Sequence, residues 1–349
     1  MNKIRVSENK FIGENEPCFI IAETGINHNG DIKLACEMID VAVECGVDAV
    51  KFQTFKAEEF VSDPYQTYTY NSQGKSITES MLAMFKRYEF KEQDWIEISE
   101  YCRKRNIIFF STPQNPSDLD FLLNIVDLPV IKVGADDLTN LDLLKYYASK
   151  GKPIIISAGM SFLSELEDAV MAIKDVNDKL AVLHCISSYP AEAEEINMRK
   201  MLTIGQAFDV IIGFSDHTIN SIASVMAVTV GAKIVEKHFT LDKNLPGPDH
   251  WFSSNPSEFK ELVGNIRYAE KALGSREVIP TVKELEMREI ARRSIVARTD
   301  ILKGEIIKRE HLELKRPGTG LPPKFVNYLI GHQTKTDIKK NELVTFEKI

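Results

Sequence analysis

Short apolar runs and amphipathic stretches alternate along most of the chain. The run CFIIAE (18–23) is followed, beyond a glycine-containing break at 25–30, by residues 31–45, in which apolar side chains recur at helical spacing. Runs of about four to eight apolar residues are typical of buried strands, whereas recurrence every three or four residues is typical of a helix packed by one face. The order strand, then helix, predicts parallel strands joined by right-handed crossovers.

The strand-and-helix pattern recurs eight times between residues 18 and 273. The predicted strands are 18–23, 48–53, 107–111, 130–134, 153–157, 181–185, 210–214 and a last one within 232–239. Eight such units predict a (β/α)₈ TIM barrel. An open doubly wound sheet is the alternative, but it more often carries a glycine-rich phosphate fingerprint after the first strand, and ETGINHNG is not that pattern.

Three segments depart from this regularity. Residues 1–17 resemble a polar lead-in, and residues 54–90 are too long for an ordinary connection. The second segment is therefore predicted to be an elaborated functional loop with some helix near Ser80–Lys86. Residues 275–290, after the barrel domain 1–274, have the composition of a linker.

From about Ala291 the pattern of apolar and polar residues changes to short β-like apolar runs flanked by charged residues. A weak repeat relates DILKGEII (300–307) to DIKKNELV (337–344). This repeat predicts a small β-rich C-terminal domain over residues 291–349. A domain of about sixty residues is small for independent stability, so we expect it to dock on the barrel or on a partner subunit.

Composition narrows the functional classes. With 44% hydrophobic and 27% charged residues the chain is ordinary for a globular protein, and a formal charge of −8 argues against nucleic acid or an anionic membrane as the main partner. No apolar run approaches the ~20 residues of a membrane span, and the first residues lack the apolar core of a signal peptide. Five cysteines without CxxC spacing predict a reduced, cytoplasmic setting.

A histidine stands at the end of each of the last two predicted strands. VIIGFSDH (210–217) ends in His217, and AKIVEKH (232–238) ends in His238. Neighbouring parallel strands lie ~5 Å apart, so both imidazoles can converge on one point above the sheet. Two converging imidazoles suggest a metal site. Either histidine alone would be better interpreted as an ordinary surface or core residue.

Polar residues also end most of the other strands. Lys51 and Lys132 lie within apolar strands and need an anionic partner, because lysine is almost never fully buried unpaired. A salt bridge to Glu23 or Glu236 would satisfy either lysine alone. Two lysines together with Ser and Thr hydroxyls at one mouth favour binding of a phosphate or carboxylate instead. The stiff loop TLDKNLPGPDH would present Asp249 at the same mouth.

Nine segments together resemble the bacterial sialic acid synthase family. In chain order they are ETGINHNG, KFQT, STPQN, KVGADDLTN, SAGM, LHCISSYP, GFSDHT, EKHFTLDKNLPGPDH and KRPGTG. The resemblance implies a TIM barrel followed by an antifreeze-like (SAF) domain. It implies condensation of phosphoenolpyruvate with an N-acetylated hexosamine such as N-acetylmannosamine, with release of phosphate. It also implies a divalent metal, usually Mn²⁺ although Mg²⁺ or Co²⁺ would serve, and a domain-swapped homodimer.

The resemblance also carries over roles for single residues. It places His217 and His238 on the metal. It places phosphoenolpyruvate and the reacting carbons among Lys51, Lys132, Ser111, Ser215, Glu23 and Gln53, and the sugar near Ser187, Tyr189 and Asp249. Arg316, which spacing alone would leave in solvent, would reach the N-acetyl group across the dimer interface. A carboxylate, Glu23 or Asp137, would manage the protons of the attacking water.

The chain departs from the family pattern at two places. Ala135-Asp136-Asp137 stands where the family usually has Ser-Gly-Glu, and Ser187 stands where an Asn is expected. These differences leave the sugar and the role of Asp137 open. An N,N'-diacetyllegionaminate synthase is the near alternative. A metal-dependent keto-acid aldolase or lyase and a non-catalytic sugar-binding protein are more distant ones, because a fold does not fix a function.

Overall fold

The computed structural model describes residues 3–349 and divides into two compact units. The first unit ends at Gly274, and the second runs from Ser275 to Ile349. None of the described helices is both long and apolar enough to cross a bilayer.

The first unit is a closed barrel of eight parallel strands, with neighbours in the order β3-β4-β7-β8-β9-β10-β11-β12 and β12 paired with β3. The strands of this unit are β1 (Lys3–Arg5), β2 (Phe11–Gly13), β3 (Phe19–Gly25), β4 (Ala49–Thr54), β5 (Thr67–Ser72), β6 (Lys75–Ser80), β7 (Ile108–Pro113), β8 (Ile131–Val133), β9 (Ile154–Ser157), β10 (Leu180–Cys185), β11 (Ile211–Asp216) and β12 (Ile234–His238). The TIM barrel prediction is confirmed.

Helices cover the outside of this barrel. They are α1 (Ile32–Cys45), α2 (Ala57–Phe60), α3 (Met81–Tyr88), α4 (Glu92–Lys104), α5 (Pro116–Ile125), α6 (Leu141–Ser149), α7 (Leu163–Lys174), α8 (Ala193–Ile196), α9 (Arg199–Phe208), α10 (Ile222–Thr229) and α11 (Pro256–Leu273). Local sequence sets their ends: Asp31 caps α1 by accepting from Lys33 N at 2.8 Å, and Gly46 ends it with φ 80°. The barrel core lies between these helices and the strands.

The expected polar lead-in is instead a small antiparallel hairpin, β1 with β2. Ile4, Val6 and Ile12 are at most 4% exposed. Alternation of these apolar residues with Lys3 and Arg5 is the period-two signal of a half-buried strand, and its short length hid it.

The long segment after β4 is an organised insertion. It contains α2, the antiparallel hairpin β5–β6 and α3, which agrees with the helix expected near Ser80–Lys86. Two hydrogen bonds tie the hairpin to the loop after β12: Gln73 Nε2 donates to Asn244 O at 2.9 Å, and Gly247 N donates to Ser72 Oγ at 3.1 Å. The insertion therefore stands at the C-terminal end of the barrel strands.

The second unit has its own apolar core and an internal repeat. Its elements are α12 (Val282–Ala291), β13 (Ser294–Ala297), β14 (Leu312–Lys315), α13 (Val326–Leu329) and short 3₁₀ turns at Arg309–His311, Pro323–Phe325 and Phe346–Lys348. The two predicted repeats pair reciprocally: Lys303 N donates to Asp337 Oδ1 at 2.7 Å and Lys340 N to Asp300 Oδ1 at 2.8 Å. The repeats are therefore related by an approximate two-fold axis.

Helix α12 lies where a linker was expected. Thr281 and Glu284 form a capping box at its start. Its apolar residues, such as Val282 and Ile290, are 75% and 65% exposed within the chain. The apolar residues of this helix are not concentrated on one face, so the sequence lacks the amphipathic period that would have predicted it.

Candidate active site

The C-terminal ends of the barrel strands surround a cavity of about 740 Å³. Chemistry in TIM barrels is located at this end of the strands. Ten of the predicted site residues line the cavity: Glu23, Lys51, Gln53, Lys132, Ser187, Tyr189, Ser215, His217, His238 and Asp249. The inward-facing positions of six different strands and their following loops thus meet at one mouth.

The two histidines lie side by side on one wall of the cavity, with ring centroids 5.7 Å apart. His217 Nδ1 donates to Ile186 O at 2.6 Å, which leaves Nε2 with only Ser215 Oγ at 3.4 Å. His238 Nδ1 is buried and has no hydrogen-bond partner among residues 3–349. Burial lowers the pKa of both imidazoles, so both are neutral.

Lys51 stands across the cavity in a nearly dry ionic cluster. Its Nζ lies 2.8 Å from Glu23 Oε2 and donates to Thr112 Oγ1 at 3.0 Å. Burial would lower the pKa of Lys51, but the carboxylates of Glu23 and Glu236 outweigh it and the pKa is raised. Burial raises the pKa of Glu23. Lys51 is therefore a fixed cation at the base of the mouth.

Lys132 is a second cation in the same cluster, with different partners. Its Nζ donates to Ser157 Oγ at 2.7 Å and to Val133 O at 2.9 Å. Glu236 Oε1 lies 3.9 Å from Lys132 Nζ and 3.8 Å from Lys51 Nζ, too far for a hydrogen bond to either. Burial lowers the pKa of Lys132. A ligand anion would give this lysine the close partner that Glu236 does not provide.

Glu236 joins the lysine and histidine sides of the cavity. Its Oε1 accepts from Ser215 Oγ at 3.1 Å, and its Oε2 is buried without a hydrogen-bond partner in the described chain. Burial favours the neutral carboxyl, but Lys132 and Lys51 outweigh burial and lower the pKa of Glu236. The sequence spacing placed Glu236 on one face with His238, because the two positions are two residues apart on a strand, but Glu236 was predicted only as a possible lysine partner and not as a site residue.

Tyr189 and the loop after β12 form the wall behind the histidines. The Tyr189 ring lies over His217 at 4.2 Å between centroids. Asp249 Oδ2 lies 3.9 Å from His238 Nδ1, and burial, with a smaller effect of Glu23, raises the pKa of Asp249 to about 7. His250 holds this loop in place, since its Nδ1 lies 2.7 Å from Thr240 Oγ1.

Two predicted site residues of the barrel unit are not brought to the cavity. Ser111 is fully buried, donates to Phe52 O at 3.0 Å and pairs with Thr54 Oγ1 at 2.7 Å, whereas its neighbour Thr112 lines the cavity. Asp137 is half-buried and outside the lining, whereas Asp136 belongs to it. In both cases the position one residue away in the chain faces the mouth. Arg316 lies in the second unit, and its contact with a sugar stays a prediction.

The histidine pair fits a divalent metal with open positions. Neutral imidazoles with an unpaired ring nitrogen are the ligating form of histidine. Among residues 3–349 no group of three or more His, Cys, Asp or Glu side chains is arranged to hold a metal. The protein would thus supply two nitrogen ligands and leave the other positions to substrate and water, which suits a catalytic rather than a structural site.

Comparison with known proteins assigns the family. The NeuB family matches residues 38–278, and the SAF domain matches residues 292–349. The chain belongs to the NeuB family. N,N'-diacetyllegionaminic acid synthase of Legionella pneumophila is 40% identical over 342 residues, covering 97% of this chain and 96% of that protein. N-acetylneuraminate-9-phosphate synthase of Homo sapiens is 32% identical, covering 99% and 97% of the two chains.

A solved structure in the NeuB family has the same architecture. N-acetylneuraminic acid synthetase of Leptospira borgpetersenii has a TM-score of 0.74 and 34% identity, covering 82% of this chain and 95% of that one. NeuB family members are nonulosonic acid synthases that use phosphoenolpyruvate, so this chain is a carbon–carbon bond-forming transferase. The expected family, enzyme class and SAF domain are confirmed.

Proposed function

We propose that the protein condenses phosphoenolpyruvate with an open-chain N-acetylated hexosamine to give a nonulosonic acid and phosphate. The sequence favours N-acetylmannosamine, giving N-acetylneuraminate, and a 2,4-diacetamido-trideoxy hexose, giving N,N'-diacetyllegionaminate, is the alternative. One observation carries the proposal: Lys51, Lys132, His217 and His238 line a single cavity. An anionic donor and a carbonyl acceptor would thus meet between two chemically distinct walls.

The lysine wall would hold phosphoenolpyruvate. Lys51 and Lys132 supply two cations, and Thr112 and Ser157, which already contact them, supply hydroxyls. Charge-assisted hydrogen bonds in a dry cavity are the strong kind, and a phosphate or carboxylate offers several acceptor oxygens. Binding would fix C3 of phosphoenolpyruvate toward the histidine side.

The histidine wall would hold the acceptor aldehyde. We propose that His217 and His238 bind a divalent metal, Mn²⁺ by the family resemblance. When bound, the metal polarises the acceptor carbonyl as a Lewis acid. Tyr189 and the carboxyl of Asp249 both lie close to His238 and would orient the sugar hydroxyls. Positioning the two reactants in this way removes much of the entropy cost of the reaction.

The bond changes follow from this arrangement. C3 of phosphoenolpyruvate forms a bond to the aldehyde carbon, whose C=O π bond breaks and whose oxygen takes up a proton to become a hydroxyl, and the resulting cation at C2 takes up water. One water proton passes to a carboxylate, and the tetrahedral intermediate loses phosphate by breaking its C2–O bond while the C2 hydroxyl gives up its proton to form the ketone. Glu23 is suited to the proton transfer, because burial raises its pKa and it accepts from Gln53 Nε2 at 3.3 Å. Asp137, the other predicted carboxylate, lies outside the lining.

A substrate assay tests the proposal. The protein is incubated with phosphoenolpyruvate, Mn²⁺ and either acceptor, phosphate is measured, and the acid product is identified by mass spectrometry. Removing metal with a chelator, or replacing His217 by Ala, should lower the rate at least a hundredfold, and added Mn²⁺ should restore only the chelated sample. His332→Ala, an exposed histidine of the second unit, serves as the matched control.

The opposite outcomes are equally clear. No phosphate release with any amino sugar would refute the proposal. Trapping of Lys51 or Lys132 on a keto acid by borohydride would support a Schiff-base aldolase instead, because only a covalent imine is reduced in this way.

We also propose a homodimer. The barrel unit has 27 Lys and Arg against 40 Asp and Glu, whereas the second unit has 16 against 11, so the two carry opposite net charge. The exposed apolar residues of α12 need cover. In a domain-swapped dimer, the positively charged second unit of one subunit would pair with the negatively charged barrel unit of its partner, and the partner would cover the exposed apolar residues of α12. Light scattering should give twice the monomer mass, and a monomer at micromolar concentration would refute this part.

A further inference from the structure

The second unit contains a cavity of its own, with a volume of about 600 Å³ beside helix α12. Three arginines line it, Arg288, Arg292 and Arg293, together with a single carboxylate, Glu289. None of the described barrel residues, 3–274, contributes to this lining. The cavity is therefore positively charged and separate from the site of the proposed condensation.

The arginines of this cavity have no ionic partner within residues 3–349. In the barrel unit, four of the six arginines lie within 4.0 Å of a carboxylate oxygen, namely Arg87, Arg103, Arg105 and Arg267. None of the seven arginines of the second unit has such a partner in the described chain. Glu284, four residues before Arg288, instead accepts from Thr281 N at 2.7 Å at the start of α12. The three guanidiniums thus remain available to a ligand.

The end of α12 does not account for three positive charges. Arg288 lies in the last turn of the helix, and Arg292 and Arg293 follow it. The C-terminal end of a helix presents only about half a negative charge. Two of its last carbonyls are already bonded, since Arg292 N donates to Arg288 O at 3.1 Å and Gly318 N donates to Glu289 O at 2.6 Å. Arg288 and Arg292 are also four residues apart, a spacing at which like charges destabilise a helix. A bound anion would relieve this repulsion.

The cavity wall is built by close packing of a loop against the helix. A Cβ atom on Gly318 would stand 2.5 Å from Arg288 O and 2.8 Å from Arg292 Cβ, too close for any side chain. Ser294 fixes the same loop further along, because its Oγ accepts from Gly320 N at 2.8 Å. Helix and loop therefore form one continuous wall, and the arginines stand on a fixed surface.

The rest of the lining is apolar. It consists of Leu285, Pro322 and Pro323, besides the glycine of the loop. Leu285, Arg288 and Arg292 follow one another at spacings of three and four, so they share one face of α12. A volume of about 600 Å³ is that of a pocket for a small organic molecule rather than an inorganic ion. Because the arginine fork matches phosphate oxygens, the lining fits a phosphate ester that also has an apolar part.

We propose that this cavity binds a nucleoside diphosphate. Its two phosphate groups lie on the three guanidiniums, and its base lies on Leu285 and the two prolines. The proposal goes beyond the proposed function and does not depend on it, because the cavity lies wholly in the second unit. It is also compatible with the proposed dimer, since Val282 and Ile290, which a partner would cover, are not among the lining residues.

Isothermal titration calorimetry on the full-length protein tests the proposal. The ligands are ADP, CDP, GDP and UDP, with pyrophosphate and adenosine for comparison. At least one nucleotide should bind saturably and about tenfold or more tightly than pyrophosphate or adenosine, because only the nucleotide uses both the charged and the apolar lining. Absence of saturable binding by all four nucleotides, or equally tight binding of pyrophosphate or adenosine, would overturn the proposal.

Paired arginine variants locate the bound nucleotide. Arg288→Gln combined with Arg292→Gln should raise the dissociation constant at least tenfold, because two charge-assisted contacts are lost. Arg276→Gln combined with Arg298→Gln is the matched control, since it removes the same charge at exposed positions of the second unit outside the lining. This control should change the dissociation constant less than about threefold, because separated surface charges are screened by salt.

Two further variants keep the experiment decisive. Arg293→Gln changes a lining residue beyond the end of α12, so it should weaken binding even if the double variant disturbs the helix. Lys132→Met changes the barrel cavity and should leave nucleotide binding as in the wild type. Unchanged binding in the folded arginine variants, or loss of binding in Lys132→Met, would place the nucleotide outside the arginine cavity and overturn the proposal.

Discussion

Two sets of polar side chains alternate along β11 and β12 and face opposite sides of the barrel wall. Asp216 and Lys237 point outward, toward the helices, and form an ion pair at 3.1 Å. Ser215, His217, Glu236 and His238 point inward and line the cavity. Both sets are buried, both contain charges, and they are neighbours in sequence, so burial and charge alone do not distinguish them.

The outward and inward sets differ in how completely their polar atoms are hydrogen-bonded. Lys237 Nζ also donates to Thr218 O at 2.5 Å, and Asp216 accepts from Ser224 Oγ at 2.5 Å and from Thr218 N at 2.8 Å. In the inward set, Glu236 Oε2 and His238 Nδ1 have no hydrogen-bond partner within residues 3–349. A buried polar atom without a partner is costly. The outward set is therefore structural, and we propose that substrates and a metal complete the inward set.

The largest expected effect is on stability and concerns the outward pair. Asp216→Ala leaves the ammonium of Lys237 buried with a single carbonyl, so it should lower the free energy of unfolding by about 3–5 kcal/mol. Urea denaturation measures this change. Asp127→Ala is the control, because it breaks an exposed pair with Lys152 and should cost less than about 1 kcal/mol.

The same experiment can break the comparison. Asp216→Ala should keep kcat/KM per folded molecule within a few fold of wild type. A loss of a hundredfold without loss of stability would place the outward pair in the catalytic machinery.

The second-largest expected effect is on kcat/KM and concerns Lys132, which belongs to the inward lysine cluster. Lys132→Met removes a cation that the phosphoenolpyruvate site uses, so kcat/KM for phosphoenolpyruvate should fall by about 10²–10³. The melting temperature should change by only a few degrees, because Glu236 still accepts the hydrogen bond from Ser215 and still lies near the positive charge of Lys51. A strongly destabilised variant with normal kcat/KM would show that Lys132 is structural.

Much of this comparison follows from sequence, because strands alternate. Spacing of two placed Glu236 with His238 on one face, and eight apolar runs were enough to predict the barrel. Polar residues inside those runs then marked the mouth, and both lysines and both histidines were found in this way.

The site predictions for Ser111 and Asp137 were wrong because alternation does not tell which of two neighbouring residues faces the cavity. Ser111 and Thr112 are both buried hydroxyls on β7, and only the structure shows that Thr112 contacts Lys51. Asp136 and Asp137 follow β8 in a turn, where period two no longer applies. The apolar part of the lining was not predicted for another reason: Phe60 lies in α2, Met84 and Phe85 lie in α3, and Ile26 follows β3, so only tertiary contacts bring them together.

A smaller effect concerns buried histidines that belong with the structural set. His28 Nδ1 accepts from Gly30 N, and His250 is held by Thr240 and Asn29. Burial, with a smaller effect of His250, lowers the pKa of His28 to about 3; burial lowers that of His250 to about 4, against the opposing charge of Asp242.

The sign of the pH dependence follows from these shifts. Both histidines have a pKa near 6.5 when unfolded, so the unfolded chain takes up protons first as the pH falls. The stability that they contribute is fully present at neutral pH and above, and it is lost as the pH falls through 6.5 toward about 4 for His250 and about 3 for His28. The loss should approach about 1.4 kcal/mol per pH unit for each histidine as the pH falls below 6.5, and urea unfolding between pH 7 and 5 measures it. His28→Gln should lower the slope of unfolding free energy against pH by the contribution of one histidine. An unchanged slope would contradict the conclusion that His28 is buried in its neutral form.

The smallest effect tests the comparison at the level of one hydroxyl. Ser224 donates to the outward Asp216, and Ser157 accepts from the inward Lys132 at 2.7 Å. Ser224→Ala should lower the free energy of unfolding by about 1–3 kcal/mol and leave kcat/KM unchanged, because its carboxylate partner stays buried. Ser157→Ala should instead lower kcat/KM for phosphoenolpyruvate about tenfold, with a change in unfolding free energy below about 1 kcal/mol. If both serines acted mainly on stability, the lysine cluster would be a structural network like the outward pair, and the phosphoenolpyruvate site would have to lie elsewhere in the cavity.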